Sequence, residues 1–217
     1  MQLVIGNKAY SSWSLRPWLL LRQFGLPFEE ILVPLFEAGS SDTILRYTPT
    51  GKVPCLVDGA ISVWESIAIC EYLAERHPEL PMWPRDPALR AEARALAAEM
   101  HAGFAALRQH CPMNVRRQYP PRSRPSEVGR DLARFSALIE SLRARFAPLG
   151  PFLMGEFGIL DAMYVPMATR CRTYSLELPS RAQGWVDHVL ALPAMREWYE
   201  AALTESWVIR DSEEDGG

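Results

Sequence analysis

A chain of 217 residues with 48% hydrophobic content can build a sizeable core, as one large domain or two small ones. With 26 acidic against 23 basic residues its formal net charge is −3, so it lacks the basic excess that holds a phosphate backbone, and nucleic acid is not expected as a partner. No apolar run is long enough to cross a bilayer, and the opening "MQLVIGNKAY" lacks the basic start and long apolar stretch of a signal peptide; the expected location is the cytoplasm, with no membrane partner.

In chain order, "QLVIG" is a short apolar run suited to a buried strand. From Ser14 the spacing Leu15, Trp18, Leu19, Arg22 gives a helical face, stopped by Gly25 and Pro27. "FEEILVPL" reads as a second strand, and "SSDTILRYTP" as a short helix capped by Ser40 or Ser41 and closed before Pro49. In "VPCLVDGAISVWES" two apolar runs flank Asp58 and Gly59, a strong hairpin signal. "ESIAICEYLAERHPE" then returns to helical phase and ends at His77 before Pro78. The order is βαβ followed by ββα, an α/β arrangement across residues 1–78.

"PELPMWPRDP" carries four prolines and makes a stiff linker, placed at 79–87. Residues 88–210 read as an all-α bundle: "ALRAEARALAAEMHAGFAALRQH", "SEVGRDLARFSALIESLRARFA", "LDAMYVPMATRCRTYSLEL", "AQGWVDHVLAL" and "AMREWYEAAL", with one long break at 111–125. The tail, 211–217, is acidic and reads as frayed and solvated. The four cysteines form neither a CxxC pair nor a zinc-type spacing, and the four histidines share no spacing, so no metal is expected and the thiols read as free or buried in a reducing compartment.

Three ordered stretches carry a more specific resemblance. "SSWSLRPWLLLRQFGLPFEE", "TPTGKVPCLVDG" and "WESIAICEYLAERHP", followed by a helical half containing "GEFGILDAMYVPMATR", resemble the cytosolic glutathione transferases, in particular the serine-type, zeta-like enzymes that include maleylacetoacetate isomerases. The resemblance implies a thioredoxin-like N-terminal domain, an all-helical C-terminal domain, glutathione as co-substrate, a small electrophile held between the domains, and a homodimer.

The chemistry asks for similar residues. A free thiol titrates near about 8.5, so a catalyst must favour the thiolate. A hydroxyl donating to sulfur from the first turn of a helix does so, with the helix dipole adding to it. By the resemblance Ser11, five residues before Arg16, is the activating serine, and Ser12 belongs to the glutathione site. An ordinary helix N-cap is the other reading of these hydroxyls, with capping assigned to Ser12. Tyr10 keeps a tyrosine-type mechanism open, and Trp13 stands where zeta-like sequences carry cysteine.

The remaining glutathione contacts are expected from Lys52, Val53 and Pro54, where a cis peptide would leave the Val53 backbone free to pair with the tripeptide, and from Glu65 and Ser66, which suit the ammonium and carboxylate of a γ-glutamyl group. Glu65 complementing the dipole and Ser66 capping is the structural alternative. Phe104, Arg108, Met113 and Asn114 are candidates for the electrophile pocket, and Arg170 and Arg172 for a substrate carboxylate. Asp161 is read as the buried residue that must bond its helix start, because Gly158 occupies the capping position.

Overall fold

The computed structural model describes residues 1–214. Among them four strands form one sheet in the order β2-β1-β3-β4: β1 (Gln2–Ile5), β2 (Glu29–Leu32), β3 (Cys55–Asp58) and β4 (Ile61–Trp64). β1 runs parallel to β2, joined by a crossover through α1 (Ser12–Gln23), and antiparallel to β3. β1 sits inside the sheet and is covered on both faces, which is why Leu3, Val4 and Ile5 form an unbroken apolar run. α2 (Ser40–Leu45) and α3 (Ser66–Arg76) complete this half. The hairpin signal was displaced by one residue: Asp58 pairs with Ile61, so the loop is Gly59–Ala60, with Gly59 at φ +61°.

The second half is helical: α4 (Pro87–Ala102), α5 (Ala105–His110), α6 (Ser126–Phe146), α7 (Ile159–Thr173), α8 (Ser180–Leu190) and α9 (Pro193–Thr204). Asp86 caps α4 by accepting from the Leu89 amide at 2.9 Å, so the last proline of the linker segment is already the first residue of a helix. The stretch read as one helix from Ala88 to His110 is two, because Phe104 adopts a left-handed conformation at φ 59° and Gly103 brings its backbone against the Glu99 carbonyl. Two isolated bridges, Phe152 with Gly155 and Met154 with Glu156, interrupt an otherwise helical half.

The halves meet along α1 and α7, which share one buried core. α7 is buried nearly throughout, and Trp18 of α1 meets Trp198 of α9 edge to face at 4.9 Å. Lys8, lying over both indoles, is paired with Glu30 at 2.6 Å. The start of α1, with Ser11, Ser12 and Ser14 nearly or fully buried, lies between the halves. The tail expectation fails for its described part: through Glu214 the chain folds back, with Glu213 held by Tyr10 and Arg117 and Glu214 by Arg122 and Arg124. Residues 215–217 of the expected acidic tail lie outside the described residues.

Candidate active site

The loop from β1 into α1 is built by its own backbone. The Tyr10 and Ser11 amides both donate to the Asn7 carbonyl, at 3.1 and 2.8 Å, and this turn places Ser11 as the residue capping α1. The Ser11 oxygen accepts from the Ser14 amide at 3.4 Å and its hydroxyl donates to Ser14 Oγ at 2.7 Å; Ser14 Oγ also accepts from the Gly6 amide at 3.1 Å. Capping therefore falls to Ser11, not Ser12 as the sequence suggested. Ser12 instead accepts from Arg170 Nη2 at 3.3 Å.

Ser11 and Ser12, both nearly buried, line a cleft of about 530 Å³ together with Tyr10, Trp13, Lys52, Val53 and Met113. A second recess of about 250 Å³ shares Trp13, Lys52 and Val53 with it and runs on to Pro54, Glu65 and Ser66. The structure thus brings all seven residues expected around glutathione onto one continuous surface. The Val53–Pro54 bond is cis. Among the described residues the Val53 amide and carbonyl take part in no hydrogen bond.

At the far end, Glu65 caps α3 with φ 69°, a left-handed conformation that a β-carbon opposes at a cost on the order of 1–3 kcal/mol. Its side chain makes no cap bond; the carboxylate lies 3.5 Å from His101 Nε2. Ser66 is the first residue inside the helix rather than its cap. Its hydroxyl, fully buried, accepts from Arg16 Nη1 at 3.2 Å.

Under this surface lies a set of guanidinium groups that sequence reasoning did not assemble. Arg16 is fully buried, and its Nε and Nη2 have no hydrogen-bond partner. Arg16 and Arg108 lie over the Trp13 ring at 4.3 and 4.7 Å, and His101 meets its edge at 5.1 Å. Burial pushes Arg16 well below the usual arginine range, with Arg108 and Arg170 adding to the fall, and brings Arg170 to about 10. Burial, then Arg16, also lowers His101. Even so shifted, arginine stays charged near neutral pH, and a positive floor favours an anion above it.

The electrophile candidates need correction. Met113 lines the cleft, but Phe104 is core, edge to face with Tyr164 at 6.3 Å. Asn114 is fully buried and bridges the Ser212 carbonyl and the Arg116 amide at 3.2 Å each. Arg108 donates to the Gly103 and Met100 carbonyls at the end of α4, where unpaired carbonyls draw a cation. The cleft is walled instead by Leu35, Phe36, Ile209 and Ser212. Arg170 does line it, with Nε and Nη1 spent on the Cys111 and Pro166 carbonyls at 2.9 and 2.8 Å, whereas Arg172 lies over Tyr199 on another face. Tyr10, the alternative activator, has its hydroxyl committed to Glu213 at 2.6 Å, and burial pushes it up.

Trp13 and Arg16, three apart on α1, could have been paired from helical spacing alone. Nothing in the sequence brings Arg108 and Arg170 to them. Among the described residues no group of three or more His, Cys, Asp or Glu is placed to hold a metal ion, and no helix is long and apolar enough to cross a membrane.

Comparison with known proteins agrees with this geometry. The family model "Glutathione S-transferase, N-terminal domain" matches residues 10–76, and "Glutathione S-transferase, C-terminal domain" matches 125–201. A probable maleylacetoacetate isomerase of Caenorhabditis elegans is 37% identical over 97 residues, a match spanning 44% of each chain. Glutathione S-transferase GstB of Escherichia coli K12 is 28% identical over 82% of this chain and 88% of its own length. A solved glutathione transferase homologue from Burkholderia, with bound glutathione, shares the fold at a TM-score of 0.70 and 21% identity, covering 93% of this chain and 97% of that one. Taken with the sheet order, the helical half and the serine-lined cleft, these matches show that the chain belongs to the glutathione S-transferase family.

Proposed function

We propose that the chain binds reduced glutathione along the surface from Ser66 to Ser11 and joins its thiolate to a small electrophile in the larger cleft. The observation that carries this reading is the Ser11 hydroxyl at the start of α1, in the same cleft as the unpaired Val53 backbone and above buried guanidinium groups. The tripeptide adds to Val53 as an extended strand. Its γ-glutamyl carboxylate meets Ser66 and the open amides of α3, and its ammonium meets Glu65. The exposed Lys52 faces the glycine carboxylate.

Free of substrate, Ser11 gives its proton to Ser14. A thiolate is a stronger acceptor than a hydroxyl, so with glutathione bound the Ser11 proton turns to sulfur, while Ser14 donates to the Ser11 oxygen in its place. Each thiolate the site stabilises is a nucleophile held next to its target.

A second reading is glutathione-dependent cis–trans isomerisation of a maleylacetoacetate-type diacid, by reversible addition of the same thiolate. It is favoured by the similarity to the Caenorhabditis elegans isomerase and by Arg170 in the cleft wall; Trp13 in the cysteine position weighs against it. We further propose a cytoplasmic location, in keeping with four buried free cysteines that a reducing compartment would preserve, and a homodimer, which sedimentation tests.

The deciding assay offers glutathione with a haloaromatic electrophile and, separately, with a maleyl-type diacid, to wild type and Ser11→Ala. Conjugation lost in the variant supports the first reading, and isomerisation alone the second. Binding of glutathione with neither reaction would make the chain a non-catalytic binding module.

A further inference from the structure

The loop presenting Ser11 is held from a part of the chain almost 200 residues away. Glu205, directly after α9 and nearly buried, accepts from the Lys8 amide through Oε1 at 2.6 Å and from the Ala9 amide through Oε2 at 3.0 Å. The same two residues are also held through their carbonyls: the Lys8 carbonyl accepts from the Trp198 indole at 2.8 Å and the Ala9 carbonyl from the Val115 amide at 3.0 Å. Arg116 secures the acid's own backbone, donating to the Glu205 carbonyl at 2.7 Å and the Trp207 carbonyl at 2.9 Å, and reaches the Tyr10 hydroxyl as well. Glu205 lies past residue 201, where the match to the family's C-terminal model stops.

A carboxylate bridging two successive amides is a stiff joint, because charge-assisted bonds are short and roughly twice as strong as neutral ones. Ser11 follows Ala9 by two residues, and its own amide donates to the Asn7 carbonyl at 2.8 Å. Its hydroxyl is tied to α1 only through Ser14, by the 2.7 Å hydroxyl bond that a thiolate would redirect and by a 3.4 Å cap bond. With sulfur bound, the backbone anchored upstream therefore governs where that hydroxyl sits. We propose that Glu205 is a positioning residue for thiol activation: its carboxylate holds the Lys8–Ala9 backbone so that the Ser11 hydroxyl meets the glutathione sulfur at a fixed place. The inference rests on Ser11 being the activator. Glu205 touches neither sulfur nor electrophile.

The test titrates thiolate absorbance against pH with glutathione bound, and measures KM and kcat, for wild type, Glu205→Gln, Glu205→Asp and Ser11→Ala. Glu205→Gln loses the charge and one of two acceptors; the bound thiol should titrate about one unit higher and kcat near neutral pH should fall about tenfold. KM for glutathione should stay within about threefold, since Val53, Glu65 and Ser66 are untouched. Glu205→Asp, one methylene short, reaches one amide and gives a smaller rise, which keeps the test open if the glutamine variant does not fold. A folded Glu205 variant with wild-type thiol titration, while Ser11→Ala shifts it, overturns the role of Glu205 alone. A Ser11→Ala enzyme with unshifted titration overturns the reading of Ser11, and this inference with it.

Discussion

Two helix starts in this protein solve the same problem with opposite consequences. At α1 a serine oxygen in the wall of a cleft accepts from one first-turn amide; at α7 a carboxylate inside the core reaches back to the amide of the capping glycine. Asp161 is fully buried and accepts from the Leu153 amide at 3.0 Å, the Gly158 amide at 3.3 Å and the Trp185 indole at 2.9 Å. Ser11 makes one long cap bond and one hydroxyl bond. The buried Asp161 spends both of its oxygens on the fold. Ser11 leaves a hydroxyl whose proton can be redirected, and chemistry at a helix start requires that looseness.

If the contrast is right, the two sites separate stability from catalysis. The largest effect belongs to Asp161→Ala, which strands three buried donors and should lower stability by about 3–5 kcal/mol, read as a fall of about 10 °C or more in Tm. Its ionisation gives a second readout. Burial pushes the Asp161 carboxyl from 3.8 up to about 6. The folded chain therefore binds this proton more tightly than the unfolded one. The resulting stability is complete below about pH 4 and disappears as the pH rises through 6, a loss of about 3 kcal/mol in the difference between wild type and Asp161→Asn.

Ser11→Ala should do the reverse. A lost donor to a developing or stored anion lowers kcat/KM about 10²–10³-fold, while loss of the cap lowers stability by only about 1 kcal/mol. Comparable stability losses at Ser11 and Asp161, with activity intact, would erase the distinction.

Gly158→Ser sharpens it. From sequence a serine there looks like an improvement, since glycine contributes no side-chain cap. In the fold a β-carbon at Gly158 would lie 2.8 Å from the Met82 carbonyl, which itself accepts from the Ile159 amide. The variant should lose about 1–3 kcal/mol in urea unfolding despite its added hydroxyl. The smallest effect belongs to Ser12→Ala, whose oxygen serves Arg170: within about threefold in kcat/KM, and about 1 kcal/mol in stability.

These cases also show what could be read in advance. The order of strands and helices follows from apolar period and from Pro and Gly punctuation, and the residues proposed to surround glutathione follow from three short motifs whose members are neighbours in the chain. The break at Gly103–Phe104 is less legible: Gly103 is a lone glycine inside a long helical period, and the left-handed residue after it is a bulky aromatic. Most of the candidates for the electrophile pocket fall outside the cleft for a different reason. Phe104 and Arg108 share a helical stripe with Met100, but the same stripe suits a core, and packing decided for the core and the end of α4. Ile209, Ser212, Glu205 and the Arg170 partner of Ser12 reach the site across separations of about 150–200 residues, where local pattern carries no signal.

The most direct measurement is the pH titration of thiolate absorbance with glutathione bound to wild type and to Ser11→Ala. The thiol should ionise well below its solution value in the wild-type protein and return toward about 8.5 in the variant. Equal titration in the two would contradict the assignment of thiolate stabilisation to the hydroxyl at the start of α1.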